Sequence, residues 1–438
     1  MADISPLKPL RYEQGRLPLG LASVVAPPYD VISAEQRGEL AARDPHNIVR
    51  LILPEGEGDA KYANAANLLA EWRDAGVLFR DNEAAFYRYD QSFLPPDGGK
   101  IIVRRGFLAL VRLVPLSARI VLPHERTLTG PKEDRLKLFR ATRANLSPGF
   151  MLYRDPRSEL DGPLSSAKAI AEFSTPDGVH HALAKVTAGD AVEAIVRGVS
   201  QSNLLIADGH HRYETALRYA EETSEREPGA GPSASHRYFM TFLANGDDPN
   251  LVVFPTHRLV HSLSSFSFDH LIQGTSPWFV SRNLLQGSPA ADILRILREA
   301  GKMGPSFAAA ASDGRVVLLT LRADVDLGAH LTLGKRPEVL RKTDVAVLHS
   351  AILEEILGIT PEAQAAKTHL SYPQDAAASL ADVRAGRGQV LFLMNATPVA
   401  EVRRVAEAGE VMPQKSTFFY PKVLTGLAIH TLDPERTV

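Results

Sequence analysis

Cysteine is absent from this chain of 438 residues. That excludes a disulfide scaffold, a Cys-ligated zinc or iron–sulfur site, and a thiol nucleophile. A charge excess is also missing: 49 Lys+Arg against 51 Asp+Glu leave a net charge of −2. A generic binder of nucleic acid or of a membrane surface needs a basic surplus, so nucleic acid is not an expected partner. No run approaches the ~18 consecutive apolar residues of a membrane span. The first residues, MADISPLKPLRYEQ, lack a charged stretch followed by an apolar one, which argues against a secretory signal. The expectation is a soluble, cytoplasmic protein without a membrane partner. The nucleotide signatures GxxxxGK[ST] and GxGxxG and the zinc signature HExxH are missing as well, which argues against a standard P-loop or Rossmann enzyme.

What is present is ordinary globular composition, 45% apolar and 23% charged. The length allows two or three domains. Boundaries are placed at 1–115 for an N-terminal α+β region, 116–260 for a core and 261–438 for a C-terminal α+β region. Pro27 and Pro28 rule out a helix and hold Tyr29 and Asp30 on a stiff loop. Ala65, Leu68, Leu69 and Trp72 recur at helical spacing and predict a helix over 59–75. Residues 84–94 and 101–114 read as two strands of a long hairpin joined through PPDGGK. The apolar piece Ala118 to Pro123 runs into HERT (His124 to Thr127), and a basic helical stretch follows, closed by Ser147-Pro148-Gly149.

Residues 203–222 form the sharpest local unit. Leu204 to Ala207 reads as a buried strand and Asp208-Gly209 as a turn. Tyr213, Ala216, Leu217 and Ala220 then mark one helix face, with Ser224 to Ser235 ending the helix as a surface loop. In the last third, helices are predicted over 291–300, 344–357 and 399–408, and strands over 315–321 and 389–394. Strands and helices mix without a strict βαβ rhythm, so the predicted fold class is α+β with mixed sheets.

Three motifs carry chemistry. In DGHHR (Asp208 to Arg212) a helix begins directly after a strand. Its N-terminal N–H groups and partial positive charge favour phosphate, and Gly209 permits close approach. The Arg212 fork suits phosphate oxygens, Asp208 suits a base or a Mg²⁺ ligand, and His210 and His211 add donors. The plainer alternative has Asp208 capping the helix and both histidines on the surface. HERT puts His124, Glu125 and Arg126 at the exit of an apolar strand, and read locally it favours an exposed polar loop with a Glu–Arg pair. KSTFFYPK gathers Lys415, Ser416, Thr417 and Lys422 around Phe418, Phe419 and Tyr420, either as phosphate contacts with a nucleobase shelf or as core aromatics beside solvated lysines. Fourteen histidines keep a metal-dependent hydrolase in view, behind the phosphate reading.

APPYDVIS, HNIVRL, LPHERT, ADGHHRYETAL and MPQKSTFFYPK, in this order, resemble the bacterial and archaeal family catalogued as domain of unknown function 1015, over Pro9 to Leu432. The DGHHR element is similar to the phosphate-binding motif of the ParB/sulfiredoxin superfamily. That superfamily includes CTP-binding ParB proteins, ATP-using sulfiredoxins and an ADP-dependent free serine kinase with an Asp-Gly-His-x-Arg element. The resemblance implies a ParB/sulfiredoxin-like nucleotide-binding core with phosphate held at Gly209, His210, His211 and Arg212. Sulfiredoxin chemistry needs a cysteine at this motif, which this chain lacks, and no basic helix-turn-helix supports a ParB role.

The kinase branch remains. The expected activity is a phosphotransferase that moves a phosphoryl group from ATP or ADP, with Mg²⁺ at Asp208, to the hydroxyl of a small metabolite such as free L-serine. Asp208 and Glu125 are the catalytic candidates. Arg126, Lys415 and Thr417 join the phosphate-binding set, and Tyr29, Asp30 and His124 are substrate-loop candidates. The assignments outside DGHHR suppose that the PPYD and HERT loops converge on the DGHHR turn. A nucleotide-binding or sensing protein without turnover is the alternative.

Overall fold

Alternation along two long strands organises the first part of the molecule. The computed structural model describes residues 1–95, 99–125, 129–433 and 437–438, and only the backbone of 129–131. The chain divides into two units. Unit 1 comprises Met1–Pro123, Thr127–Val252 and Pro421–Val438, and unit 2 comprises His124–Arg126 and Val253–Tyr420.

Unit 1 holds a nine-stranded sheet built from β1 (Ile4–Ser5), β2 (Phe86–Phe93), β3 (Ile102–Arg112), β4 (Val121–Leu122), β5 (Gly149–Tyr153), β6 (Lys168–Ser174), β7 (His180–Val186), β8 (Leu204–Asp208) and β9 (Tyr238–Asn245). The spatial order is β4-β8-β5-β9-β3-β2-β7-β6, with β1 pairing beside β3. The β4–β8 and β5–β9 pairs are parallel and the other pairs along this order are antiparallel. Successive side chains on a strand point to opposite faces. One face carries Phe107, Ala109, Met151, Ile206, Phe239 and Leu243 into an apolar core. After α1 (Ala34–Arg43) and α2 (Ala60–Asp74), the helices α3 (Gly189–Ser200) and α4 (His210–Arg226) add Ile195, Val199, Tyr213 and Ala216 to it. The other face carries the polar row described below.

A second apolar cluster in unit 1 is set by Leu10, Tyr12, Ile48, Tyr62, Leu69 and Trp72. Asp81 ties this region to the sheet: its buried carboxylate accepts from Arg11 Nη2 and Lys185 Nζ, each at 3.0 Å, and from the Tyr87 hydroxyl. Burial alone would raise its pKa, yet the hydrogen bonds from Arg11, Tyr87 and Lys185 hold it down at about 2. A depressed folded-state pKa stabilises the protein above the unfolded value and ceases to do so as pH falls through the folded one. Asp81→Asn is therefore expected to remove about 2 kcal/mol at neutral pH and to flatten the loss of stability between about pH 4 and 2. Urea unfolding across that range measures it, and an acid limb unchanged by the substitution would refute the assignment.

Unit 2 holds a six-stranded antiparallel sheet of β10 (Arg258–Val260), β11 (Phe279–Asn283), β12 (Ser306–Ala311), β13 (Val316–Leu321), β14 (Leu370–Ser371) and β15 (Val390–Met394) in the order β11-β13-β12-β15-β10-β14. The helices Ala290–Gly301 and Ala376–Arg384 bury Ile293, Leu297, Leu380 and Val383 on one face of it.

The architecture is α+β with mixed sheets. The predicted helix over 59–75 is Ala60–Asp74, and the predicted hairpin strands are β2 and β3. Two expectations need correction. The helix after DGHHR runs on to Arg226 instead of ending at Ser224, because Ser224 bonds its hydroxyl to the Ala220 carbonyl, a helix-compatible bond that removes its stop signal. The predicted helix over 344–357 is a short α-turn, Asp344–Val347, that widens into a π-helix at Leu348–Glu354. Among the described residues no helix is long and apolar enough to cross a membrane.

Candidate active site

The β8–α4 junction is local chemistry at work. Leu204 to Ala207 are buried, so β8 delivers Asp208 at its carboxyl end. Gly209 follows in the left-handed region with φ 92° and ψ 31°, which reverses the chain at no steric cost. Helix α4 starts at His210, and Gly209 is its N-cap with no side-chain cap bond. Asp208 is thus not the helix cap. It accepts from Arg212 Nη2 at 3.0 Å and from Lys422 Nζ at 2.7 Å. His210 is buried and His211 half-buried, so they are not a surface pair. Arg212 is buried too, and its other terminal nitrogen donates to the Pro148 carbonyl. Its fork is engaged with protein, and Lys422 Nζ is held on Asp208, so the backbone at the first helix turn is the group best disposed toward an incoming anion.

Tyr29 sits beside this junction on a single 3₁₀ turn, Tyr29–Val31, which follows Pro28. The Arg135 guanidinium lies 4.2 Å from its ring centroid. Burial first, then the charge of Asp30, raises the Tyr29 pKa, while Arg212 and Arg135 oppose the rise. Tyr29, Arg135, Ser147 and Arg212 line a cavity of about 20 Å³, room for one water. Asp30 itself is exposed.

The polar face of the unit 1 sheet leads to the same place. Register pairs Gln91 with Arg104, Tyr89 with Gly106, Phe242 with Leu108, Phe150 with Phe242, and Asp208 with Phe150, so these side chains share one face. Gly106 is required there: an added Cβ would lie 2.3 Å from the Phe242 ring and 2.4 Å from the Leu243 carbonyl oxygen. The Arg104 guanidinium lies 4.8 Å from the Phe150 ring centroid and 5.3 Å from that of Phe242, and donates to Gln91. Gln91 donates in turn to the Lys422 carbonyl at 3.0 Å. Burial pushes the Arg104 pKa down to about 10, against the charges of Tyr89 and Asp208. Next in the row, the Tyr89 hydroxyl meets His181 Nδ1 at 2.7 Å, and burial lowers His181 to about 4.

HERT and KSTFFYPK meet within unit 2. His124 is fully buried, with Nε2 2.9 Å from the Thr417 hydroxyl. Glu125 Oε1 accepts from the Ser416 N–H at 3.1 Å and lies 3.7 Å from His124 Nε2. His124 and Glu125 are therefore not on an exposed polar loop. Arg126 lies outside the described residues. Lys415 adopts φ 58°, and its carbonyl accepts from Arg258 Nη2 at 3.1 Å. Arg258 is fully buried, donates also to His349 Nε2 at 2.9 Å, and has its pKa pushed down to about 10 by burial against the charges of Tyr372 and Glu125. Phe419 is buried core, while Tyr420 stacks on Phe254 at 4.6 Å.

Among the described residues no three His, Asp or Glu side chains are grouped to hold a metal. The Asp208 oxygens carry Arg212 and Lys422, whereas Mg²⁺ needs near-octahedral oxygen ligation. The residues at Asp208 do not fit a resident metal.

A family model described as "Protein of unknown function (DUF1015)" matches residues 4–346. The chain belongs to this family. Curated proteins provide no match. Solved structures provide distant likenesses. A conserved hypothetical protein from Pyrococcus furiosus is 14% identical, covers 73% of this chain and 94% of its own, and has a TM-score of 0.34. A free serine kinase in complex with AMP is 12% identical over 73% of this chain and 91% of that one, with a TM-score of 0.36. SbnI with a C-terminal truncation, from Staphylococcus aureus, is 11% identical over 73% and 85%, with a TM-score of 0.32.

Sequence reasoning singled out the DGHHR turn, named Lys422 only as part of KSTFFYPK without joining it to Asp208, and passed over Arg104. Arg104 gave one signal, a charge inside an apolar strand run ending in Gly106-Phe107-Leu108.

Proposed function

We propose that this protein is a nucleotide-dependent phosphotransferase acting on the hydroxyl of a small metabolite, with a ParB/sulfiredoxin-like phosphate turn at Asp208 to Arg212. The observation that carries the reading is the meeting of Arg212 and Lys422 on Asp208 at the first turn of α4, where Gly209 exposes backbone. A helix N-terminus with an adjacent lysine neutralises phosphate oxygens and positions them, which is most of what phosphoryl transfer asks of a protein. Asp208 first orients the two cations. When Lys422 turns to the phosphate, one Asp208 oxygen is released to take the acceptor proton. The hydroxyl oxygen then bonds to the terminal phosphorus of ATP or ADP, and the P–O bond to the leaving nucleotide breaks. Free L-serine is the first acceptor to try, on the strength of the Asp-Gly-His-x-Arg element. His124, Glu125, Lys415 and Thr417, in unit 2, are given no step.

The test incubates full-length protein with ATP or ADP, Mg²⁺ and a panel of hydroxylated metabolites, and reads phosphorylated product by mass spectrometry. Asp208→Asn is expected to lower turnover by about 10²–10⁴-fold and to leave nucleotide affinity within about tenfold. A folded wild-type protein that forms no product with any pair refutes the kinase reading. The engagement of both Asp208 oxygens favours one rival, a nucleotide sensor. Tight nucleotide binding without consumption would establish that rival.

A further inference from the structure

A residue other than glycine with φ near +60° is strained, and such strain persists where surrounding contacts fix it. In unit 2, Lys367 and Lys415 both adopt φ 58°. Lys367 is the left-handed cap that ends the helix Pro361–Ala366, a place glycine or asparagine normally takes. Its N–H donates to the Gln364 carbonyl at 3.3 Å, and the Tyr372 hydroxyl donates to the same carbonyl at 3.3 Å. The Tyr372 ring lies 4.9 Å from the Arg258 guanidinium, which in turn holds the Lys415 carbonyl. Arg258 and Gln364 both bond to the His349 ring. These three side chains are buried, so one interior frame fixes both strained lysines. The residue after Lys415 is tied as well, with the Ser416 N–H on Glu125 and the Ser416 carbonyl on Thr397.

The lysine side chains have no such ties. Neither ammonium group makes an ion pair among the described residues. Lys367 is exposed and Lys415 half-buried, so solvent and solutes reach them. Partial desolvation, then the charge of Lys415, lowers the Lys367 pKa, and no carboxylate opposes the change. Like charges brought within range of one another disfavour both, and an anion between them reverses the sign of the interaction. Arg258 adds a third positive charge to this region.

We propose that Lys367 and Lys415 form an anion site in unit 2 that takes the phosphate group of a small phosphorylated ligand. Two ammonium groups act as point charges and match a dianion, whereas a carboxylate brings one charge only. Lys415 of KSTFFYPK, which has no step in phosphoryl transfer, thereby gains a part. The site stands apart from the phosphotransferase reading, which uses the turn at Asp208 to Arg212 with Lys422.

The experiment is calorimetry of the full chain with pyrophosphate, and with acetate as the monoanion control. Wild type is expected to bind pyrophosphate roughly tenfold or more tightly than acetate. Lys367→Gly and Lys415→Gly are each expected to lose roughly tenfold or more in pyrophosphate binding. Both are expected to melt at or above the wild-type temperature, because glycine takes φ 58° without strain. Lys367→Met and Lys415→Met remove the charge, keep the strain, and are expected to lose the same binding, which serves should a glycine variant not fold. Gly209→Ala, which alters the unit 1 turn, is expected to keep this binding within about twofold. Competition with glycerol phosphate and with ADP tells a phosphomonoester from a nucleotide, and displacement by either supports the site. Displacement by neither overturns the assignment, as does pyrophosphate bound no better than acetate or unchanged in the lysine variants. Binding lost as fully in Gly209→Ala as in the lysine variants also overturns it, since the unit 1 turn would then be what holds the anion. Lysine-dependent binding in a protein that phosphorylates no acceptor supports this site while refuting the phosphotransferase reading.

Discussion

Gly106→Ala is expected to lower the melting temperature by roughly 10 °C, the effect of about 3 kcal/mol or more in a domain of this size. The cause is contact at short range. The new Cβ would stand 2.4 Å from the Leu243 carbonyl oxygen, a backbone atom of the neighbouring strand, and 2.3 Å from the Phe242 ring. The ring has little room to move, because the same Phe242 packs on Phe150 at 5.2 Å and lies over Arg104. The β3–β9 pairing, which runs from Gly106–Ala244 to Arg112–Tyr238, would have to spread at the centre of the sheet. Differential scanning calorimetry reads the effect, and a melting temperature within about 2 °C of wild type would show that the strand pair yields more easily than close packing allows.

Gly209→Ala is expected to weaken nucleotide binding by roughly 10- to 100-fold at a stability cost of about 1–2 kcal/mol, the strain of an L-residue in the left-handed region. The larger functional effect comes from Arg212. A Cβ on residue 209 would lie 3.0 Å from both Cζ and Nε of Arg212, whose terminal nitrogens are held by the Pro148 carbonyl and Asp208. Displacing that guanidinium releases one cation from Asp208 and redirects Lys422. Calorimetry with ADP, set beside urea unfolding of the same variant, separates the two effects. Binding within twofold of wild type would remove the turn from the phosphate site.

How much of this could be read beforehand follows from the range of each interaction. The strand–turn–helix unit at 203–222 was legible because its signals are local: a buried apolar run, Asp-Gly, then a 3.6-residue period over Tyr213, Ala216 and Ala220. The hairpin of β2 and β3 was legible for the same reason. The hairpin of β6 and β7 passed unnoticed, since Lys168–Ser174 is mostly half-buried or exposed and carries little alternation of burial. The π-helix at Leu348–Glu354 keeps a helical apolar stripe, so its periodicity looked like an ordinary α-helix. Asp208 as helix cap and HERT as exposed loop were fair local readings. Both gave way to partners far along the chain, Lys422 for Asp208, and Ser416 and Thr417 for Glu125 and His124.

The amino-acid sequence alone settled the absence of thiol chemistry, the α+β class and the DGHHR turn, because composition, periodicity and a single glycine act over a few residues. Only the tertiary structure decided that Asp208 holds Lys422 214 positions away, and that Arg104 lies buried against the rings of Phe150 and Phe242. Strand order and register bring those groups onto one sheet face, and no local pattern in the chain encodes which strands become neighbours.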